Sequence, residues 1–114
     1  MLLPKLIEHL SSQLNVFVGM EAPSETSGYV LIDQTGSSTS NHITTTTVAI
    51  QSYGSTLYNA LKLNDDVKAA MVAFLEDPDV SSIRLETDYN FTNTATKQYR
   101  WQAVYQITHY LGGI

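Results

Sequence analysis

Three histidines are the first candidates for chemistry in this sequence. His9, His42 and His109 lie far apart, and no two have the i, i+4 spacing that sets two metal ligands on one face of a helix. The pattern around them places His9 on a helix, His42 at a loop–strand junction and His109 at the end of a strand. We therefore predict three solvated side chains, with no metal site and no cofactor.

Two acidic clusters are the next candidates, Asp65-Asp66 and Glu76-Asp77-Pro78-Asp79. The second cluster lacks the alternating ligands and the closing glutamate of a calcium loop, so a helix start and a helix-ending turn explain the two clusters. Ser55 follows Gly54, but the second glycine of a nucleophile elbow is missing. There is no cysteine either. The sequence predicts no catalytic residue, and we do not expect an enzyme.

An aromatic-rich face makes the last predicted strand the most unusual segment. Tyr99, Trp101 and Tyr105 alternate with polar residues that include Arg100, an arrangement that single-strand binders use to stack nucleobases. Against this, the net charge is -5 and the six Lys and Arg residues are scattered, whereas tracking a phosphate backbone requires clustered positive charge. The sequence therefore favours a sheet face that packs on helices.

The elements that position these residues follow from hydrophobic periodicity. Residues 3–14 carry apolar side chains at helical spacing, and residues 55–76 predict one kinked helix or two in tandem, with Ser55 as the N-cap and Asn64-Asp65-Asp66 as a second start. The predicted strands cover residues 16–18, 29–32, 43–53, 80–85 and 99–108. The predicted loops cover residues 21–28, 35–42 and 90–97, of which 35–42 is a mobile hairpin loop.

The order of the elements predicts the fold class. An α-β-β-β-α-β-β chain of 114 residues is expected to form one domain over residues 1–114, of α+β class. It should have two layers, with a mainly antiparallel sheet and helices packed on one face. Four consecutive threonines predict that the first half of the strand 43–53 is solvated on both sides. No signal peptide or membrane span is evident, so we expect a soluble protein made in the cytoplasm.

Two segments carry a resemblance to a known family. Gln51-Ser52-Tyr53-Gly54 leads into a helix with Ala60 and Leu61, and the last strand is Tyr99-Arg100-Trp101-Gln102-Ala103-Val104-Tyr105-Gln106-Ile107. With the short N-terminal helix and the polar hairpin, this pattern resembles the tail-terminator and tail-completion proteins of long-tailed phages and prophages, the lambda gpU-like group. The resemblance spans nearly the whole chain.

This resemblance implies a structural role in the virion. The family forms a ring, typically of six subunits, that caps the tail tube, ends tail growth and presents a surface to the head connector. The implied partners are copies of the chain itself, the tail-tube protein and the head connector protein, with DNA only as cargo through the lumen. The implied location is the tail or neck of the virion, and the host cytoplasm during assembly.

One segment is a candidate subunit contact. Arg84, Asp88, Tyr89 and Phe91 combine aromatic side chains beside a polar loop with opposite charges, and aromatic residues are enriched at interfaces. Replacing Arg84 and Asp88 together by alanine is expected to impair ring formation. Two alternatives stay open: a head–tail adaptor or stopper from the same assembly, and a small module that binds a ligand or single strand on the Tyr99, Trp101 and Tyr105 face.

Overall fold

The fold is seen in a computed structural model, which describes residues 2–24 and 28–110. Its elements are α1 (Leu2–Gln13), β1 (Phe17–Gly19), β2 (Tyr29–Ser40), β3 (Ile43–Gly54), α2 (Leu57–Phe74), β4 (Val80–Asn90) and β5 (Tyr99–Tyr110). The predicted order of elements and the α+β class are confirmed. Residues 25–27 of the predicted loop 21–28 lie outside the described residues.

The five strands form one sheet in the order β1-β2-β3-β5-β4. The short β1 is parallel to β2, and the other neighbours are antiparallel. Both helices share one hydrophobic core with one side of this sheet, so the predicted two-layer arrangement is confirmed. Its largest fully buried apolar side chains are Leu6, Leu10, Ile32, Ile50, Met71 and Ile107. Burying each of them contributes about 1.5–3 kcal/mol.

Alternate side chains along each strand face the core, and the side chains between them face the other side of the sheet. Val30 and Ile32 of β2, Val48 and Ile50 of β3, and Ala103, Tyr105 and Ile107 of β5 all face the helices. Because successive side chains of a strand point to opposite faces, the residues between them project from the other side of the sheet. We call that other side the open face, since neither described helix packs on it. Among the described residues, neither helix is long and apolar enough to cross a membrane.

The hairpin of β2 and β3 is longer than the sequence predicts. The predicted mobile loop 35–42 is wrong, because β2 continues to Ser40 and only Asn41 and His42 form the turn. Both turn residues have positive φ, 53° and 65°, as in two-residue type I′ turns. The distal half of β2 has no apolar side chains, and it is held in the sheet by backbone pairing with β3 and by cross-strand hydroxyl contacts. One such contact joins the Oγ1 atoms of Thr39 and Thr44, 2.9 Å apart.

The first half of β3 is not solvated on both sides as predicted. Thr44 and Thr46 are buried, with 6% and 2% of their surface exposed. They tolerate burial because each hydroxyl has a partner: Thr44 faces Thr39, and Thr46 Oγ1 lies 3.0 Å from His109 Nε2. Two of the four consecutive threonines, Thr44 and Thr46, therefore lie on the buried side of the strand.

The second helix is continuous from Leu57 to Phe74. Its N-cap is Thr56 and not Ser55, because the Thr56 hydroxyl accepts a hydrogen bond from the Asn59 amide at 3.1 Å. No second start occurs at residues 64–66, since Asn64 points into the protein interior and is 0% exposed. The predicted alternative of two helices in tandem is therefore wrong, and the segment forms one helix.

The β4–β5 hairpin extends past its strands. The Phe91 amide donates to the Arg100 carbonyl oxygen at 3.0 Å, and Asn93 pairs with Gln98. The predicted loop 90–97 therefore narrows to a short tip. Within this hairpin, β4 is the edge strand of the sheet, and its pairing with β5 shifts register at Val80/Ser82 and at Leu85/Thr87. Such bulges hinder indiscriminate pairing along an exposed edge.

Candidate interaction surface on the open face of the sheet

One row of side chains crosses β1, β2, β3 and β5 on the open face and ends just past β4. Phe17 pairs with Tyr29, Tyr29 with Tyr53, and Tyr53 with Arg100, while Phe91 continues the row just past the end of β4. We call these five residues the aromatic row. The ring of Phe17 lies over Gly19, where a Cβ atom would come within 2.8 Å of it. Glycine is therefore needed at position 19 for Phe17 to lie flat on the sheet.

The side chains of the aromatic row are stacked on one another. The rings of Tyr29 and Tyr53 are 4.6 Å apart and nearly parallel, at 16°. The Arg100 guanidinium lies between two rings, with its Cζ atom 5.9 Å from the centre of Tyr53 and 4.4 Å from that of Phe91. Such cation–π contacts contribute about 0.5–1 kcal/mol each at exposed sites. The row is thus ordered by its own contacts.

A chain of hydrogen bonds connects the aromatic row to the next row of the sheet. Arg100 Nη1 donates to the Tyr53 hydroxyl at 3.2 Å, and that hydroxyl donates to Gln51 Oε1 at 3.0 Å. Gln51 Nε2 then donates to Gln102 Oε1 at 2.8 Å, and Gln102 Nε2 donates to the Tyr89 hydroxyl at 2.5 Å. We call Gln51, Gln102 and Tyr89 the glutamine row. These four hydrogen bonds link the side chains one to the next and hold them in one arrangement.

Along the two rows, the aromatic side chains at the centre are buried and those at the ends are exposed. Tyr29 and Tyr53 are only 7% and 5% exposed, because each ring covers the other. Phe17, Tyr89 and Phe91 at the two ends are 45%, 39% and 38% exposed. The surface therefore offers free apolar area at its ends around a rigid centre.

The four predicted contact residues do not all lie on this face. Tyr89 and Phe91 belong to it, and their rings meet edge to face at 5.8 Å. Arg84 lies farther along the open side of β4, paired with Glu86 and donating to Gln106 Oε1 at 2.8 Å. Asp88 points to the opposite side, toward α2. That these four residues lie at a subunit contact stays a prediction.

Asp88 joins helix and sheet. Its carboxylate accepts hydrogen bonds from Asn64 Nδ2 at 2.8 Å, Trp101 Nε1 at 2.7 Å and Lys68 Nζ at 2.5 Å. Burial raises the pKa of this carboxyl group, but the hydrogen bonds from Lys68, Asn64 and Trp101 outweigh it and hold the pKa below its usual range. Asp88 is therefore a charged structural contact between α2, β4 and β5.

The aromatic side of β5 packs under α2, as the sequence favours. Tyr105 is 5% exposed and belongs to the core. Trp101 is half-buried, and its indole nitrogen is bound to Asp88. The exposed aromatic surface is instead built by residues from all five strands. Sequence reasoning identified only two of its members, Tyr89 and Phe91, as interface candidates.

Two of the three histidines are not solvated as predicted. His9 lies at the contact of the two helices, where its Nε2 donates to the Ala70 carbonyl oxygen at 2.8 Å and its ring lies 5.0 Å from that of Phe74. His109 is 6% exposed, and its Nδ1 has no hydrogen-bond partner among the described residues. Only His42, in the hairpin turn, is exposed. Within residues 2–24 and 28–110, no group of three or more His, Asp or Glu side chains is placed to hold a metal ion.

His109 predicts a pH dependence of stability. Burial lowers its pKa below the usual value of 6.5. The unfolded chain therefore takes up a proton near pH 6.5, and the folded chain does so only at lower pH. Above pH 6.5, His109 is neutral in both states and does not change the stability. As the pH drops below 6.5, the free energy of unfolding falls, by at most about 1.4 kcal/mol per pH unit.

Urea denaturation between pH 7.5 and 5 measures this slope, as the protein's carboxylates with lowered pKa, Asp77 and Asp88, titrate below that window. We expect His109→Gln to remove most of the slope, because the variant has no group to protonate there. His42→Gln should keep it, since His42 is exposed. Equal slopes in the wild type and His109→Gln would contradict the prediction.

The second acidic cluster forms the predicted helix-ending turn. Asp77 Oδ1 accepts a hydrogen bond from the Asp79 amide at 2.9 Å, and both carboxylates pair with Lys5 of α1, at 2.8 and 3.5 Å. Asp65 lies within α2 and pairs with Lys68 at 3.5 Å, so the first cluster does not start a helix.

The sequence was compared with known proteins. No protein-family model matches the chain, and no curated protein matches it.

Proposed function

We propose that the chain is a structural subunit of a phage tail, which forms a ring on the tail tube, ends its growth and provides the surface for head joining. The observation that best supports an assembly role is the open face, where the aromatic and glutamine rows present ordered side chains to a partner. The phage assignment comes from the resemblance in the sequence pattern.

Order on the open face favours a protein contact. Immobilising a flexible side chain during association costs about 0.5–1.5 kcal/mol, and here the contacts of Tyr53, Arg100 and Gln102 already fix them before any partner arrives. Tyrosine and arginine are also enriched among the residues that dominate binding energy. A partner that covers the exposed ends at Phe17, Tyr89 and Phe91 therefore meets a prepared surface.

The same geometry gives less support to a single-strand binder. Base stacking needs free ring faces, but Tyr29 and Tyr53 cover each other and Arg100 lies between Tyr53 and Phe91. The Arg100 guanidinium is also engaged by the Phe91 carbonyl oxygen at 2.6 Å. Little positive charge on this face is left for phosphates.

Electron microscopy of particles from a phage or induced prophage that lacks this gene tests the proposal. We expect overlong tails of irregular length together with separate filled heads, since tube growth would not be stopped. Tails of normal length lying apart from heads would move the protein to the head–tail joint, as an adaptor. Intact infectious particles would contradict both assignments.

A variant on the open face tests whether that surface carries the role. Phe91→Glu places a charge at an exposed end of the aromatic row, and we expect it to lower the yield of infectious particles by about 30-fold or more, the effect of losing a contact of at least about 2 kcal/mol. The measurement is complementation of the gene deletion in trans. Tyr58→Glu is the control, because Tyr58 is 71% exposed on α2, away from the open face.

The two variants must be equally folded for this comparison. Phe91→Glu should lose the stacking of Arg100 on one ring, about 0.5–1 kcal/mol. It should also lose the edge-to-face contact with Tyr89, about 0.5–1.5 kcal/mol. Circular dichroism and the melting temperature check this. A folded Phe91→Glu protein that complements as well as Tyr58→Glu would show that the open face is not used.

A further inference from the structure

An apolar groove lies between α2 and β4, on the helix side of the sheet. Its volume is about 350 Å³, and its apolar lining consists of Met71, Val72, Leu75, Ile83 and Leu85. Small-molecule sites have volumes from about 300 Å³ upward and are lined mostly by apolar side chains with a few polar groups. We call this surface the α2–β4 groove.

The position of α2 over the sheet leaves this groove open. The helix packs mainly on β3 and β5 and makes few contacts with β4, the edge strand. Val72, Leu75 and Leu85 on the rim of the groove are therefore 75%, 49% and 42% exposed. Contiguous exposed apolar side chains of this kind mark an interaction site.

Tyr105 gives the groove an uncommitted polar group. Its side chain lines the groove and is only 5% exposed, yet its hydroxyl makes no hydrogen bond to any residue of the ranges 2–24 and 28–110. Buried tyrosine hydroxyls usually have a partner. Burial raises the pKa of Tyr105 above its usual value of 10, so the hydroxyl keeps its proton at neutral pH. It can therefore donate a hydrogen bond to an acceptor atom that enters the groove.

The charges around the groove favour an uncharged ligand. Lys68 is its other polar lining residue, and Lys68 Nζ already lies 2.5 Å from Asp88 Oδ2 and 3.5 Å from Asp65 Oδ1. Two carboxylates share this one ammonium group, so no free positive charge is left for an anion. No carboxylate is among the described residues that line the groove, so a cation gains no partner there either. An unpaired charge would lose its hydration without compensation.

We propose that the α2–β4 groove binds a small uncharged molecule, whose alkyl or aryl body packs on Val72 and Leu85 and whose carbonyl or ether oxygen accepts a hydrogen bond from the Tyr105 hydroxyl. This inference goes beyond the proposed function and does not depend on it. The groove lies on the helix side of the sheet, and the aromatic and glutamine rows lie on the open face.

Two matched probes and the full chain test the site. Acetophenone and ethylbenzene share a phenyl ring and a two-carbon side chain, and only acetophenone carries a carbonyl oxygen. We expect both to bind the wild type with a Kd of about 1 mM or below, measured by the chemical shifts of backbone amides. Tyr105→Phe should weaken the binding of acetophenone by about 2- to 10-fold, the effect of one neutral hydrogen bond. It should leave the binding of ethylbenzene unchanged, and its melting temperature should match the wild type because the hydroxyl has no partner in the described fold.

A second variant locates the probes in the groove. Val72→Glu places a charge on the rim and should weaken the binding of both probes by about 10-fold or more. It should fold like the wild type, because Val72 is 75% exposed, and circular dichroism verifies this. Tyr58→Glu, on α2 about 21 Å along the helix from Val72, should bind both probes like the wild type.

Several outcomes would overturn the proposal. A wild type that binds neither probe would leave the groove to an apolar side chain of a protein partner. Equal affinities of the wild type and Tyr105→Phe for acetophenone would remove the hydroxyl from the site, and unchanged binding by Val72→Glu would place the probes elsewhere. Benzoate carries the same ring with a negative charge, and tighter binding of benzoate than of acetophenone would contradict an uncharged ligand.

Discussion

Gly54→Ala is expected to destabilise the protein by about 3 kcal/mol or more, the largest effect that we predict for a single methyl group. A Cβ atom at position 54 would lie 2.5 Å from the Ala60 amide nitrogen and 2.9 Å from the carbonyl carbon of Asn59. These are backbone atoms in the first turns of α2, so no change of side-chain rotamer can relieve the clash. Either β3 or the start of α2 must move, and overpacking of this kind costs about 1–3 kcal/mol and occasionally more.

Thermal and urea unfolding of Gly54→Ala measure this cost. For a chain of this size, about 3 kcal/mol corresponds to a fall of more than about 10 °C in the melting temperature. Gly36→Ala is the matched control, because no atom lies within 4 Å of a Cβ atom built at position 36. We expect Gly36→Ala to be neutral, or more stable by about 0.4–1 kcal/mol through the unfolded state. Similar melting temperatures for the two variants would contradict the packing of α2 against the end of β3.

The position of Gly54 also has a consequence for the open face. It follows Tyr53 of the aromatic row directly and precedes the N-cap Thr56. Any shift of the backbone here displaces the Tyr53 ring from its stack with Tyr29. A loss of fold and a loss of the contact surface should therefore appear together in Gly54→Ala, which is why Phe91→Glu is the better probe of function.

Apolar periodicity was sufficient to predict the class and order of the elements. Leu3, Leu6 and Leu10 lie at helical spacing and do face the core, and the alternating residues of β5 do form a strand with one buried side. These patterns are local, because the period of the apolar residues is set by the geometry of a single element.

The errors in the predicted elements arose where polar side chains are satisfied by partners distant in sequence. Asn64 precedes two aspartates and has the appearance of a helix start, but it is buried in mid-helix because Asp88 accepts its amide hydrogen 24 residues later. Likewise, the buried side chains of His109 and Thr46 are hydrogen-bonded to each other although they lie 63 residues apart in the sequence. A single sequence contains no local signal for such pairs.

The aromatic row was hidden from the sequence for a related reason. The turn at Asn41 and His42 would pair Tyr29 with Gly54 in a regular hairpin, since Ser40 pairs with Ile43. The register shift between Gln34 and Gly36 moves the pairing by one residue and places Tyr29 opposite Tyr53. The stacked pair at the centre of the open face thus depends on one β-bulge, and the position of a bulge is not encoded in hydrophobic periodicity.

Asp88→Ala is expected to lower the free energy of unfolding by about 3 kcal/mol. The change removes a charged acceptor of three hydrogen bonds, and a hydrogen bond to a charged group contributes about 1.5–3 kcal/mol. It also leaves the Nδ2 group of Asn64 without its partner, and Asn64 is 0% exposed with an Oδ1 atom that already has no partner among the described residues. A buried unsatisfied group costs about 1–3 kcal/mol.

A double-mutant cycle locates this energy. If the Asn64–Asp88 contact carries it, Asn64→Ala and Asp88→Ala should be coupled by about 1–2 kcal/mol, within the range found for residues in direct contact. Arg84→Ala is the control on the same strand: its side chain is 69% exposed in a surface ion pair, so its effect should stay below about 0.5 kcal/mol. An Asp88→Ala protein as stable as Arg84→Ala would contradict a structural role for Asp88.

This difference changes how the predicted subunit contact must be tested. Replacing Arg84 and Asp88 together mixes loss of a surface charge with loss of the link between α2 and the sheet, so failed assembly of the double variant would not identify a contact. Arg84→Ala alone preserves the Asp88 network and removes only an exposed side chain on the open side of β4. Weaker self-association of Arg84→Ala at unchanged stability would therefore place Arg84 at the subunit contact, and unchanged self-association would remove it.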